Sequence, residues 1–198
     1  MIYLASQSPR RAELLAQIGV AFQQFSVDID ETAQPGENAQ ALVQRLALQK
    51  AQAGCQKLNA DRLEKAPVLG SDTVVVCAGQ VLGKPSDKAD GLRMLRLLSA
   101  ASHQVLTAVA VATEKHSQCL VSVNDVRFRA LSEQEMNAYW ETGEPVDKAG
   151  GYGIQGAAAV FIECLHGSYS SVMGLPLYET AQLLAQHEVK YWNYKEKT

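Results

Sequence analysis

The chain has 198 residues, 47% hydrophobic and 20% charged, the balance of one globular domain with enough apolar material for its own core. Eighteen basic residues against 21 acidic ones give a net charge of −3, so composition forces no basic face for nucleic acid. No apolar run could span a bilayer, no signal-peptide core opens the chain, and the four cysteines form no CxxC pair, which predicts a cytoplasmic protein with reduced thiols and no cysteine zinc site.

In chain order, Ile2 to Ala5 reads as a short buried strand. Ser8 and Pro9 supply an N-cap and a first-turn proline for a helix carrying Leu14, Leu15 and Ile18 up to Gly19. Phe22 to Val27 is a second strand, followed by an acidic loop from Asp28 to Glu31. A helix covers Ala39 to about Ala53, with Leu42, Val43, Leu46 and Ala47 on its apolar stripe, and the polar stretch from Cys55 to Ala66 reads as a surface connection. Val68 to Cys77 is a strong β run, turned at Gly79 into a short partner at Val81-Leu82. A helix from about Asp87 to Leu98 comes next, then a hairpin of Val105–Thr113 and Cys119–Arg129. Ser132 and Glu135 form a capping box, with Leu131 and Met136 placed as a hydrophobic staple, so a helix starts at Glu133 and stops at Gly143. A glycine-rich loop leads to Gly156, Val160 to Cys164 returns to strand, and a last helix follows Gly174-Leu175-Pro176 to about His187. Without strict βαβ alternation, this predicts an α/β protein with a mixed sheet flanked by helices.

Some side chains are not accounted for by these elements. Ser6-Gln7-Ser8-Pro9-Arg10-Arg11 sets two hydroxyls and two guanidinium groups at a helix N-terminus, a setting that suits a phosphate; solvated arginines beside an ordinary cap are the alternative. Asp72 falls on the same strand face as Val74 and Val76, where a carboxylate is costly unless paired, hydrogen-bonded or metal-bound. Lys50 lies on the apolar stripe of its helix, where snorkelling is the alternative to a role. Lys84 precedes Pro85 at a hairpin end. The run from Asp147 to Gly156 has glycines at 150, 151, 153 and 156, indicating tight turns or close backbone approach, and matches neither the P-loop nor the dinucleotide pattern. Jointly, Arg10, Arg11, Lys50, Lys84 and Lys148 can clamp a polyphosphate, while Glu31, Asp72 and Asp147 can hold a hard divalent ion and direct a water. The four histidines sit in no motif, and no G-x-S-x-G elbow occurs.

The segments ASQSPRR, Asp30-Glu31, Lys50, GSDT around Asp72, GKP ending at Pro85, DKAGGYGIQG and GSYSSVMGLP, spread over residues 5–176, together closely resemble the Maf family of nucleoside triphosphate pyrophosphatases. The resemblance implies one Maf-like domain over 1–198, an elongated mixed α/β fold with two lobes around a nucleotide-binding cleft, often as a homodimer. It also implies hydrolysis of a nucleoside triphosphate to the monophosphate and pyrophosphate with a divalent cation, Mg²⁺ or Mn²⁺. Asp72 matches the general base, with Lys50 and Lys84 counted beside it as catalytic. Ser6, Ser8, Arg10, Arg11 and Lys148 are expected on the substrate, and Glu31 with Asp72 at the metal. Arg10, Thr73 and Gln155 look like the branch acting on dTTP and UTP, whereas a branch preferring 7-methyl-GTP carries other residues there. Rival readings are the same chemistry on another base, or a nucleotide sensor acting on cell division without turnover. An RNA-binding module fits poorly with the negative charge and the lack of a basic aromatic surface pattern.

Overall fold

Strand β1 (Ile2–Ala5) is buried at every residue, as a short apolar run between polar segments allows. The structure is a computed structural model and describes residues 1–192. Helix α1 (Pro9–Gln17) starts after Ser8 with proline in its first turn, and the chain leaves it through Gly19 at φ +68°. Strand β2 (Phe22–Phe25) ends two residues before the expected Val27. Helix α2 (Ala39–Ala60) is capped by Asn38, whose Oδ1 accepts the Ala41 N–H at 2.8 Å. It runs past the expected end at Ala53, so the first part of the anticipated Cys55–Ala66 connection is helical. Gly54 is a packing contact there and not a stop: a Cβ would lie 2.5 Å from Val68 Cγ1, and Leu58, one turn on, is buried.

Strands β3 (Val68–Cys77) and β4 (Gln80–Leu82) form an antiparallel hairpin through Ala78 and Gly79, both at positive φ as a two-residue primed turn requires. Helix α3 (Lys88–Leu98) is capped by Asp87. Strands β5 (Ser102–Ala112) and β6 (Ser117–Phe128) fall where the hairpin was expected. Helix α4 (Glu133–Glu141) carries the full capping box of Ser132 and Glu135, with Leu131 and Met136 buried together. After Gly143 the glycine-rich stretch is folded into 3₁₀ turns at Glu144–Asp147, Ala149–Gly151 and Ala157–Phe161. Strand β7 (Ile162–His166) follows, then α5 (Tyr169–Met173), a helix too short to show a sequence period, and α6 (Leu177–Gln186).

The seven strands form one mixed sheet in the order β2-β1-β3-β5-β6-β7, with β4 paired to β3. β1 is parallel to both β2 and β3, while β7 is antiparallel to β6. The chain divides into two compact units. The first holds Met1–Asp72, Thr107–Ser122 and the segment from Gly174; the second holds Thr73–Leu106 and Val123–Met173. A core cluster of the first unit joins Tyr3, Ala5, Leu58 and Val68, with Phe25 packed on it. In the second, Leu95, Leu98, Val105, Phe128, Tyr139 and Phe161 belong to one buried cluster, where Phe128 and Tyr152 meet edge to face at 4.8 Å. Among the described residues no helix is long and apolar enough to cross a membrane.

Candidate active site

β1 lies between β2 and β3 with all three parallel, so the strand order reverses at β1. In open α/β sheets, the carboxyl end of the strands at such a reversal is the place where ligands bind. The chain leaves β1 there through Ser6, Gln7 and Ser8. Ser6 is buried, and its Oγ accepts from the Ser8 N–H and from Arg11 Nη1, each at 3.2 Å. Its carbonyl accepts from Gln24 Nε2 at 2.7 Å. Arg11 Nε donates to the Gly174 carbonyl at 2.8 Å, so the cation set against the α1 dipole has the compensating partners that its position demands. Burial pulls the Arg11 guanidinium below its ordinary range; Asp72 opposes that shift by attraction, Arg10 adds to it and Glu31 opposes it. Four charged groups therefore share one field at the end of β1.

Asp72 reaches this place by strand register. Leu4 stands opposite Leu69, which sets Ser6 level with Ser71, one residue before Asp72. Asp72 is 7% exposed, and Lys50 Nζ lies 2.7 Å from its Oδ1. The same ammonium lies 2.7 Å from Glu31 Oε1, so the lysine on the apolar stripe of α2 is an ion-pair bridge and does not snorkel to solvent. Gly70 makes this possible. A Cβ there would stand 2.5 Å from the Ala47 carbonyl oxygen and 2.6 Å from the Ala51 nitrogen, so only glycine lets the α2 backbone lie on β3 beside Lys50. Ser71, fully buried, directs its hydroxyl to the Ala108 and Gly174 carbonyls at 2.8 and 3.0 Å. Gly174 O thus accepts from both Ser71 and Arg11, at a residue whose φ of +116° favours glycine.

Two carboxylates converging on one cation are hard oxygen donors of the number that Mg²⁺ takes from protein when phosphates complete its shell. Among the described residues no group of three or more His, Cys, Asp or Glu side chains is placed to hold an ion. The pair Glu31 and Asp72 fits an ion that is shared with a phosphate ligand, and does not form a closed cage.

The remaining predicted residues lie in the second unit. Thr73 follows Asp72 in β3 and faces the opposite side of the strand. Lys84 is exposed, between Gly83 and buried Pro85. The Gly83 carbonyl accepts the Gly150 N–H at 2.9 Å, which docks the glycine-rich loop on the chain next to Lys84. Gly150 has φ +70°, and a Cβ there would press on Val75, so conformation and space both require glycine. Lys148 Nζ donates to Asp147 Oδ1 at 2.7 Å and to the Glu144 carbonyl at 2.8 Å. Asp147, grouped with Glu31 and Asp72 on sequence, is thus the ion-pair partner of Lys148. Gln155 is exposed at the turn between buried Ile154 and Gly156.

Sequence reasoning gave no role to Gly70, Ser71, Gly174 or Glu144. The first three lie inside quoted motifs but offer no charge to notice, and their contacts depend on residues far along the chain. For Glu144 the available signal was the pair Gly153 and Gly156, whose missing side chains leave room that another group fills.

Residues 1–187 match the model of the Maf-like protein family. A protein of Saccharophagus degradans named dTTP/UTP pyrophosphatase is 56% identical over 191 residues, covering 96% of this chain and 90% of that one. Proteins of the same name from Pseudoalteromonas translucida and Aromatoleum aromaticum are 56% and 51% identical, covering 92% of this chain in each case and 95% and 93% of their own. With a parallel-strand reversal carrying Ser6, Arg11, Lys50 and Asp72, and matches of this depth over nearly its whole length, the chain belongs to the Maf family.

Proposed function

We propose that the protein hydrolyses dTTP and UTP to the monophosphate and pyrophosphate. The observation that carries this reading is the Lys50 ammonium held at 2.7 Å by both Glu31 and Asp72, with the Arg11 guanidinium in the same field, in a chain 56% identical to a dTTP/UTP pyrophosphatase. Lys50 occupies one oxygen of Asp72. The other oxygen accepts the proton of a water attacking the α-phosphorus. Arg10 and Arg11, with the Ser6 and Ser8 hydroxyls and the first N–H groups of α1, neutralise and orient phosphate oxygens at the end of β1. Lys84 and Lys148 are assigned to the phosphates by their motifs. Glu31 and Asp72 are the residues that hold a divalent ion, Mg²⁺ or Mn²⁺, and the chemistry it supplies is charge neutralisation on the phosphates. Gln155 offers a donor and an acceptor to a pyrimidine edge, and Thr73 a hydroxyl or a methyl.

The test is pyrophosphate release from a panel of nucleoside triphosphates with Mg²⁺ or Mn²⁺, beside Asp72→Asn as control. Turnover of dTTP and UTP that falls by at least about a hundredfold in the variant is expected. Turnover of purine or methylated triphosphates alone overturns the base assignment and keeps the chemistry. Binding without turnover of any of them makes the protein a sensor.

A further inference from the structure

Glu144 takes no part in the chemistry above, yet both oxygens of its carboxylate are engaged. Oε1 accepts from the Tyr139 hydroxyl at 2.8 Å and Oε2 from the Ala157 N–H at 2.7 Å. The Tyr139 oxygen in turn accepts the Gly153 N–H at 3.3 Å. A Cβ on Gly156 would fall on the Glu144 carboxylate itself. One on Gly153 would meet Lys148 Cε at 2.8 Å and Glu144 Oε1 at 3.2 Å. The carboxylate therefore fills the space that both glycines leave. Between the two fixed points stand Ile154, buried as an anchor, and Gln155, exposed. The backbone carbonyl of Glu144 also accepts from Lys148 Nζ at 2.8 Å.

A staple serving only the fold could sit anywhere along this loop, but this one brackets Gln155. We infer that Glu144, relayed by Tyr139, is a positioning residue for base selection. It holds the turn from Gly153 to Ala157 so that the Gln155 amide meets the nucleobase in one orientation. The inference rests on the reading of Gln155 as the base-contacting residue. A glutamine in place of Glu144 keeps the shape but removes the charge: with its carbonyl oxygen on the Ala157 N–H that bond is no longer charge-assisted, and its N–H₂ stands where the Tyr139 hydroxyl had its acceptor. Tyr139→Phe removes the relay to Gly153 and spares the bond to Ala157.

The experiment compares kcat/KM for dTTP and dCTP, whose pairing edges exchange donor for acceptor, in the wild type, Glu144→Gln, Tyr139→Phe, Gln155→Ala and the double variant Glu144→Gln/Gln155→Ala. Amide hydrogen exchange at Gly153 and Ala157 is followed in parallel. Glu144→Gln and Gln155→Ala are each expected to cut the dTTP preference roughly tenfold, with the double variant no worse than Gln155→Ala alone. Faster exchange is expected at Ala157 in Glu144→Gln and at Gly153 in Tyr139→Phe. Equal loss on both substrates with the preference intact, or additive losses in the double variant, overturns the positioning role. So does unchanged exchange at both amides. Wild-type protein that turns over no nucleoside triphosphate defeats the proposed function instead, and the exchange data then still decide whether the clamp exists.

Discussion

Lys50 is held between two acids, and removing it leaves Glu31 and Asp72 facing each other with their shared cation gone. Lys50→Ala is expected to fold and to lose at least about a hundredfold in turnover, measured as pyrophosphate release beside a circular-dichroism melt. Native-like turnover in a folded variant sinks the assigned role. His103 gives a different residue-scale prediction. It is buried beside Phe128 and Tyr152, its Nε2 lies 2.7 Å from the Tyr152 hydroxyl, and burial pushes its pKa down to about 4 from 6.5. Between those values the unfolded chain binds a proton that the folded chain refuses, so stability is present above pH 6.5 and is lost as pH falls toward 4. The loss amounts to about 3 kcal/mol. Urea melts of the wild type and His103→Gln from pH 7.5 to 4.5 check this, since the variant should show a shallower acid slope. At this scale the sequence was legible wherever a charge broke an apolar pattern, as at Asp72 and Lys50. It was silent where the working group was a backbone carbonyl or a glycine, as at Gly174 and Gly70.

Helix α2 and strand β3 are matched through two glycines, one on each element. Gly54 of the helix receives Val68, and Gly70 of the strand receives the helix backbone at Ala47 and Ala51. At Gly70 the opposing atoms are backbone and cannot turn aside. Gly70→Ala must therefore lift α2 off the strand, with an expected cost of about 1–3 kcal/mol and a lower kcat because Lys50 moves with the helix. Thermal melts and turnover in the same preparation check both parts, and a loss of stability without a loss of kcat refutes the link. Elements with their own local signals were legible: the Ser132 capping box, the Ala78-Gly79 turn and the proline start of α1 all fall where expected. The end of α2 was not, because whether Gly54 stops or continues a helix is decided by Val68, outside any local window. The five residues of α5 are shorter than two helical turns and leave no period to find.

The mixed sheet was predictable from the lack of strict strand–helix alternation, but its order was not. Placing β1 between β2 and β3 depends on pairing residues 65 positions apart, such as Tyr3 with Val68. The reversal at β1, which locates the site, was therefore invisible until the strands were paired. A consequence for the whole molecule is that ligand and fold are linked. A non-hydrolysable dTTP analogue with Mg²⁺ at a hundred times its Kd is expected to add about 2.7 kcal/mol of stability, read as a rise in Tm. An unchanged Tm at saturating analogue, with binding shown by calorimetry, contradicts that linkage.

The Gly174 carbonyl, which accepts from Arg11 across 163 positions of sequence, bears on how the protein is made. A ribosome delivers Arg11, Lys50 and Asp72 long before Gly174, and the early segments can collapse as soon as they emerge. Until residue 174 is in place, Arg11 and Ser71 have no common acceptor, so the nascent chain carries its charged side chains without the frame that aims them. A chain halted at Met173 would keep every charged residue assigned to the reaction and still lack the carbonyl that joins Arg11 to Ser71, which ties the onset of activity to the arrival of Gly174.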